Sequence, residues 1–65
     1  MSIRINPLPK RLRFIATGET GQLEMIYFDY VPGDDLVYVR MDDGRLICKM
    51  GSLFEPVEQK EEMQP

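Results

Sequence analysis

The stretch LVYVRMDDGRLICKM, residues 36 to 50, alternates apolar and polar positions on both sides of one Asp-Gly pair. Such a pair is a strong hairpin signal. A tight turn that matches the twist of its flanking strands needs positive φ at its central residues, which Asp tolerates and Gly adopts freely. With Asp43 and Gly44 as a two-residue loop, the register follows by counting outward. Met41/Leu46, Val39/Cys48 and Val37/Met50 then share one face, and Asp42/Arg45, Arg40/Ile47 and Tyr38/Lys49 share the other. The first face is expected to be core and the second wet, because a slip by one residue would bury Arg40 and Lys49.

The rest of the chain supplies strands for this hairpin to join. Val31-Pro32-Gly33-Asp34 has Pro second and Gly third, as a type II turn requires. Before it, Gln22 to Tyr30 reads as a long strand whose alternation changes phase: Leu23 and Met25 suit one face, Ile26, Phe28 and Tyr30 the other. A mid-strand bulge reconciles the two halves and bends the strand. Gly18-Glu19-Thr20-Gly21 reads as a loop, and Arg11 to Ala16 as a first strand with Leu12, Phe14 and Ala16 inward. After Met50, Gly51-Ser52-Leu53-Phe54-Glu55 suits a single 3₁₀ turn, and Pro56-Val57-Glu58 a short edge strand, where proline is tolerated. Residues 1–9, with Pro7 and Pro9, read as an extended arm, 10–58 as one β-barrel domain, and 59–65 as a disordered tail.

Gly18-Glu19-Thr20-Gly21-Gln22-Leu23-Glu24-Met25-Ile26 is similar to the glycine-containing loop and following strand of KOW-type segments. The stretch from Val39-Arg40-Met41-Asp42-Asp43-Gly44-Arg45 to Leu53-Phe54-Glu55-Pro56-Val57 looks like a closing hairpin, helical turn and last strand. Over residues 10–58 the order of parts resembles SH3-like small barrels, a group that includes KOW and Tudor-type modules and small accessory subunits. The resemblance implies an all-β fold: a bent, five-stranded antiparallel barrel with one short 3₁₀ turn before the last strand. It leaves activity open, since such folds host many functions.

Composition narrows the function. A 65-residue chain holds one domain and buries only about 60% of its unfolded surface. The longest apolar runs, Met25 to Phe28 and Leu36 to Val39, are strand-sized and far below a membrane span. The N-terminus also lacks the apolar stretch of a secretory signal, so a cytoplasmic location is expected. One cysteine, Cys48, excludes an internal disulfide; its position opposite Val39 marks it as a small buried hydrophobe. There is no histidine, which removes the commonest general base and metal ligand together. No phosphate-binding glycine loop or nucleophile with a base is present. Asp34-Asp35, Asp42-Asp43 and Asp29 are better read as turn residues bonding nearby backbone than as a cation site. The chain is therefore expected not to be an enzyme, and no cofactor or metal is assigned.

Two candidate binding surfaces remain. Tyr38 and Ile47 with Tyr27 or Tyr30, beside Arg40 and Lys49, should lie on the wet face, and Tyr with Arg is what protein-binding patches enrich. This points to a non-catalytic protein-binding module or accessory subunit, with a protein partner or a homo-oligomer. The rival reading is nucleic-acid binding through Arg4, Lys10, Arg11 and Arg13, which give residues 1–17 a charge of +4. The −6 carried by residues 18–44 opposes it by repelling phosphates.

Overall fold

The computed structural model describes residues 3–4 and 7–57. Five antiparallel strands form one sheet: β1 (Arg11–Phe14), β2 (Thr20–Val31), β3 (Asp34–Met41), β4 (Leu46–Met50) and β5 (Phe54–Pro56), with a 3₁₀ turn at Gly51–Leu53 before β5. Their spatial order is β4-β3-β2-β1-β5. The expected all-β fold is therefore correct, but the sheet does not close, and β4 and β5 are its two edges. Glu58 and the tail 59–65 lie outside the described residues.

One strand, β2, joins the two ends of the sheet. Its first residues pair with β1 and it then runs the length of β3. Two features let it bend. Glu24 is an extra residue between the Leu23/Val39 and Met25/Tyr38 pairs, so Leu23 and Ile26 both reach the core, and the phase change in the sequence is a real bulge. Upstream, Gly21 sits opposite Leu12 on one side and Met41 on the other. A Cβ there would stand 2.6 Å from the Arg40 carbonyl oxygen and 2.8 Å from both the Met41 Cα and a Val39 methyl. Thr20 and Gly21 thus belong to the strand rather than to the preceding loop, because only glycine admits β3 this closely.

The core consists of Ile3, Leu12, Val37, Val39, Met41 and Phe54, with Phe14, Leu23, Ile26 and Ile47 half-buried against it. Phe14 and Phe54 pack at 5.2 Å between ring centroids. Val37, Val39, Met41, Leu12 and Phe14 point inward as their alternation requires. Ile3 had no sequence signal; it lies outside any strand yet is only 2% exposed. The first strand ends at Phe14 rather than Ala16. There the Phe14 carbonyl accepts the N–H groups of Thr17 and Gly18, which turns the chain and leaves Ala16 exposed. The Pro32-Gly33 turn forms as expected, with Gly33 at φ +83.

The second hairpin corrects the sequence-based register. The Gly44 N–H donates to the Met41 carbonyl at 2.8 Å and the Met41 N–H to the Arg45 carbonyl at 2.7 Å, so the loop is Asp42-Asp43-Gly44, three residues long. Only Gly44 takes a positive φ, +98. This is the type I turn with a following left-handed residue, the next most favoured hairpin after the two-residue forms. Asp43 stabilises it by accepting from the Arg45 backbone N–H at 3.1 Å and from Arg45 Nε at 2.7 Å. As a result β4 is turned over: Tyr38 pairs with Cys48, Val39 with Ile47 and Arg40 with Leu46. Ile47 and Lys49 take the inner side, and Cys48 is exposed rather than buried.

Candidate functional site

Turning β4 over builds a different outer face from the one expected. Its rows across β2, β3 and β4 are Gln22/Arg40/Leu46, Met25/Tyr38/Cys48 and Tyr27/Leu36/Met50. Most of these side chains are apolar. Met25, Tyr27 and Leu46 are 50%, 49% and 46% exposed, a large solvent-facing fraction for residues of this kind in so small a protein. Tyr27 and Tyr38 meet edge to face at 6.1 Å. With Glu24, Met25 and Leu46 they line a shallow groove of about 350 Å³. Arg40 lies at its border, with Nε 3.4 Å from the Glu24 carboxylate. A hydrogen bond with the Cys48 thiol raises the Tyr38 hydroxyl above its ordinary pKa.

Of the residues expected on a binding face, the structure brings together Tyr27, Tyr38 and Arg40. Tyr30 is 61% exposed but lies in a second irregularity of β2, between Tyr27 and Val31. Ile47 and Lys49 are on the opposite side: Ile47 packs against the core, and Lys49 Nζ stands 5.9 Å from the centroid of Phe14. Met25, Leu46 and Cys48 are face residues that sequence reasoning missed. The second aspartate of Asp42-Asp43-Gly44 was the signal for Leu46 and Cys48, since it fits a type I turn with glycine after it, whereas Met25 faces outward because of the bulge at Glu24.

The basic N-terminal residues do not form an open phosphate-binding patch. Arg11 pairs with Asp42 at 2.7 Å and Arg13 with Glu55 at 3.3 Å. Asp42, accepting from Arg11 and from the Thr20 hydroxyl, is held down at about 2. Arg4 binds Asp35 and Asp29, while Lys10 is exposed. Arg40 and Arg45 also meet carboxylates, so every arginine in the chain is paired.

Asp35 is the buried charged residue among those described, and the exposed Arg4 pairs with it. Arg4 Nε donates to Asp35 Oδ2 at 2.9 Å, and its guanidinium also donates to the other Asp35 oxygen and to Asp29 at 2.7 Å. Asp35 is buried on the inner face of β3 and also accepts the Asp29 N–H at 2.9 Å. Asp29 itself holds φ +54, a conformation that Asp tolerates better than most residues. Arg4 holds the Asp35 carboxyl below the usual carboxylate range, overcoming the burial that would raise it. Next to this cluster Asp34 accepts from the Ser52 hydroxyl at 2.6 Å and the Ser52 N–H at 3.1 Å, fastening the 3₁₀ turn. Ile3, Arg4, Gly33, Asp34, Asp35, Gly51 and Ser52 line a half-open pocket of about 260 Å³. Its polar groups bond to one another, so the arrangement anchors the segment at Ile3 and Arg4 to the end of the sheet.

Among the described residues no group of three or more acidic or cysteine side chains converges on one point, and no helix is long and apolar enough to cross a membrane. Comparison of the chain with protein families, with curated proteins and with solved structures finds no match.

Proposed function

We propose that the chain is a non-catalytic protein-binding module, of the kind that serves as a small accessory subunit, and that it docks through the outer face of β2, β3 and β4. The observation that carries this reading is the cluster of Met25, Tyr27 and Leu46 around the half-buried Tyr38, the first three solvent-exposed to a degree that a domain of this size has little reason to keep. Tyrosine and methionine are enriched at the centres of protein interfaces, and charged residues at their rims; here Arg40 and Glu24 occupy the border. The strand order, with a 3₁₀ turn before the last strand, supports placing the module among SH3-like small barrels. Nucleic-acid binding is the weaker reading, because Arg4, Arg11 and Arg13 already meet carboxylates.

The test compares wild-type protein with Leu46→Asp and Tyr27→Ala as baits in lysate of the source cells, with and without nuclease treatment. Both positions are exposed, so the thermal transitions should stay within a few degrees of wild type. A protein captured by wild type and lost at least tenfold from both variants supports the reading. Equal capture by all three baits overturns it, and loss on nuclease treatment alone favours nucleic acid.

A further inference from the structure

The free edge of the sheet at β4 goes beyond the proposed docking face and rests on different atoms. Among the described residues, no strand pairs with the far side of β4. In an antiparallel ladder, residues that exchange both backbone bonds with the neighbour alternate with residues whose N–H and C=O point away from it. The loop bond from Met41 N–H to Arg45 O fixes the phase: Arg45, Ile47 and Lys49 bond to β3, whereas Leu46, Cys48 and Met50 turn their backbone groups outward. Proteins usually blunt such an edge with proline, bulges, extreme shortness or inward-pointing charges; on β4 the one such device is Lys49, whose ammonium lies over the Phe14 ring. The other edge, β5, has three residues and ends in Pro56; β4 has five and no proline.

We propose that β4 joins β4 of a second copy antiparallel about Cys48, forming a symmetric dimer with one continuous ten-stranded sheet. Among the registers that pair at least three residues of β4 with the second copy, the charges select this one. Centring on Ile47 would oppose Arg45 to the second copy's Lys49, and centring on Lys49 would oppose it to itself, both like-charge pairs. Centring on Cys48 pairs Leu46 with Met50, Ile47 with Lys49 and Cys48 with its own copy, with no like charges opposed. It also makes Leu46/Met50 and Cys48/Cys48 the bonded pairs, so the outward N–H and C=O groups of both strands are satisfied together. The two outer faces then run on into each other across the join, Leu46, Cys48 and Met50 lying on the same side.

Sedimentation velocity between 5 and 500 μM, on the order of weak to moderate homodimer affinities, reads the association directly. Paired Cα atoms about 5.5 Å apart are within disulfide reach, so mild oxidation with diamide should join two copies through Cys48. The double variant Leu46→Cys/Cys48→Ser should not cross-link, because position 46 faces position 50 and the two new thiols stand about 14 Å apart along the strands. Cys48→Pro removes the outward N–H without touching a bond to β3, so it should leave the thermal transition in place and lower dimer affinity at least tenfold. If that variant unfolds, Leu46→Glu/Met50→Glu, which opposes like charges at both symmetry-related 46/50 pairs, serves instead. A chain that stays monomeric to 500 μM, or thiols at 46 that cross-link as fast as those at 48, overturns the proposal. A monomer whose outer-face variants still lose a captured partner overturns the dimer alone and leaves the docking face standing.

Discussion

Gly21→Ala tests the bend of β2 at a single atom. The added methyl would lie 2.6 Å from the Arg40 carbonyl oxygen, 2.8 Å from the Met41 Cα and 2.8 Å from a Val39 methyl. Two of these neighbours are backbone, and the third is on a β-branched side chain with one favoured rotamer, so none can swing aside. Relief requires β2 and β3 to separate, next to the buried side chains of Val39 and Met41. Overpacking of this kind costs about 1–3 kcal/mol, and rigid neighbours place it at about 2–3 kcal/mol. A domain of this size has roughly 3–10 kcal/mol of total stability, so the variant loses a large share of it. At about 4–8 °C per kcal/mol for domains this small, melting followed by circular dichroism should fall by about 8–24 °C. Gly18→Ala is the internal comparison: its Cβ meets nothing within 4 Å, but φ is +80. That substitution carries only the left-handed backbone cost of about 1–2 kcal/mol and should be the milder of the two. A Gly21→Ala protein melting within 2 °C of wild type, on the order of measurement error, would refute the close approach of the strands.

Three further outcomes follow from the same geometry. Leu12→Ala empties the centre of the core where β1 crosses it and should cost about 2–5 kcal/mol in urea denaturation, enough to leave part of the population unfolded in buffer. Asp35→Ala removes an acceptor of Arg4 and that of the Asp29 N–H and should cost roughly 1–3 kcal/mol; Arg4→Ala added to it should cost less than Arg4→Ala alone, since both remove the Arg4–Asp35 contact while the bond from Arg4 to Asp29 is lost only with Arg4. Asp34, Asp35, Asp42 and Asp43 all have folded pKa values below the ordinary 3.8, Asp42 at about 2. Depressed carboxylates stabilise the fold fully above their unfolded pKa and lose that contribution as pH falls through the folded one. Melting temperature should thus be flat above about pH 5, drop between about pH 4 and 2, and drop less in Asp42→Asn.

Much of this fold is legible in the sequence because its signals are local. Pro32-Gly33 specifies its turn, the switch from Leu23 to Ile26 specifies the bulge, and Val37, Val39 and Met41 declare the inner face of β3 by alternation. What sequence reasoning missed depends on distant partners. Ile3 is a core residue only because the chain folds back near Gly51, whose own Cβ would lie 3.3 Å from Ile3 Cδ1. Asp35 continues the inner alternation of β3 and is buried because Arg4, 31 residues away, neutralises it. The face of β4 was misassigned for a subtler reason. Leu46-Ile47-Cys48-Lys49-Met50 offers Leu, Cys and Met on one side and Ile with Lys on the other, so its pattern barely discriminates, and one residue of loop length decides. The candidate site inherited that ambiguity: Tyr27, Tyr38 and Arg40 were found from β2 and β3, while Met25 and Leu46 needed the bulge and the loop in place.

The register of β4 underlies both the docking face and the free edge, and Hα–Hα nuclear Overhauser effects measure it without intermediaries. Facing residues that do not exchange backbone bonds bring their Cα atoms to about 4.5 Å, close enough for a strong cross-peak. A three-residue loop predicts such peaks between Tyr38 and Cys48 and between Arg40 and Leu46. Peaks instead between Val39 and Cys48 and between Met41 and Leu46 would mean a two-residue Asp43-Gly44 loop, with Leu46 and Cys48 turned into the core and the proposed face gone.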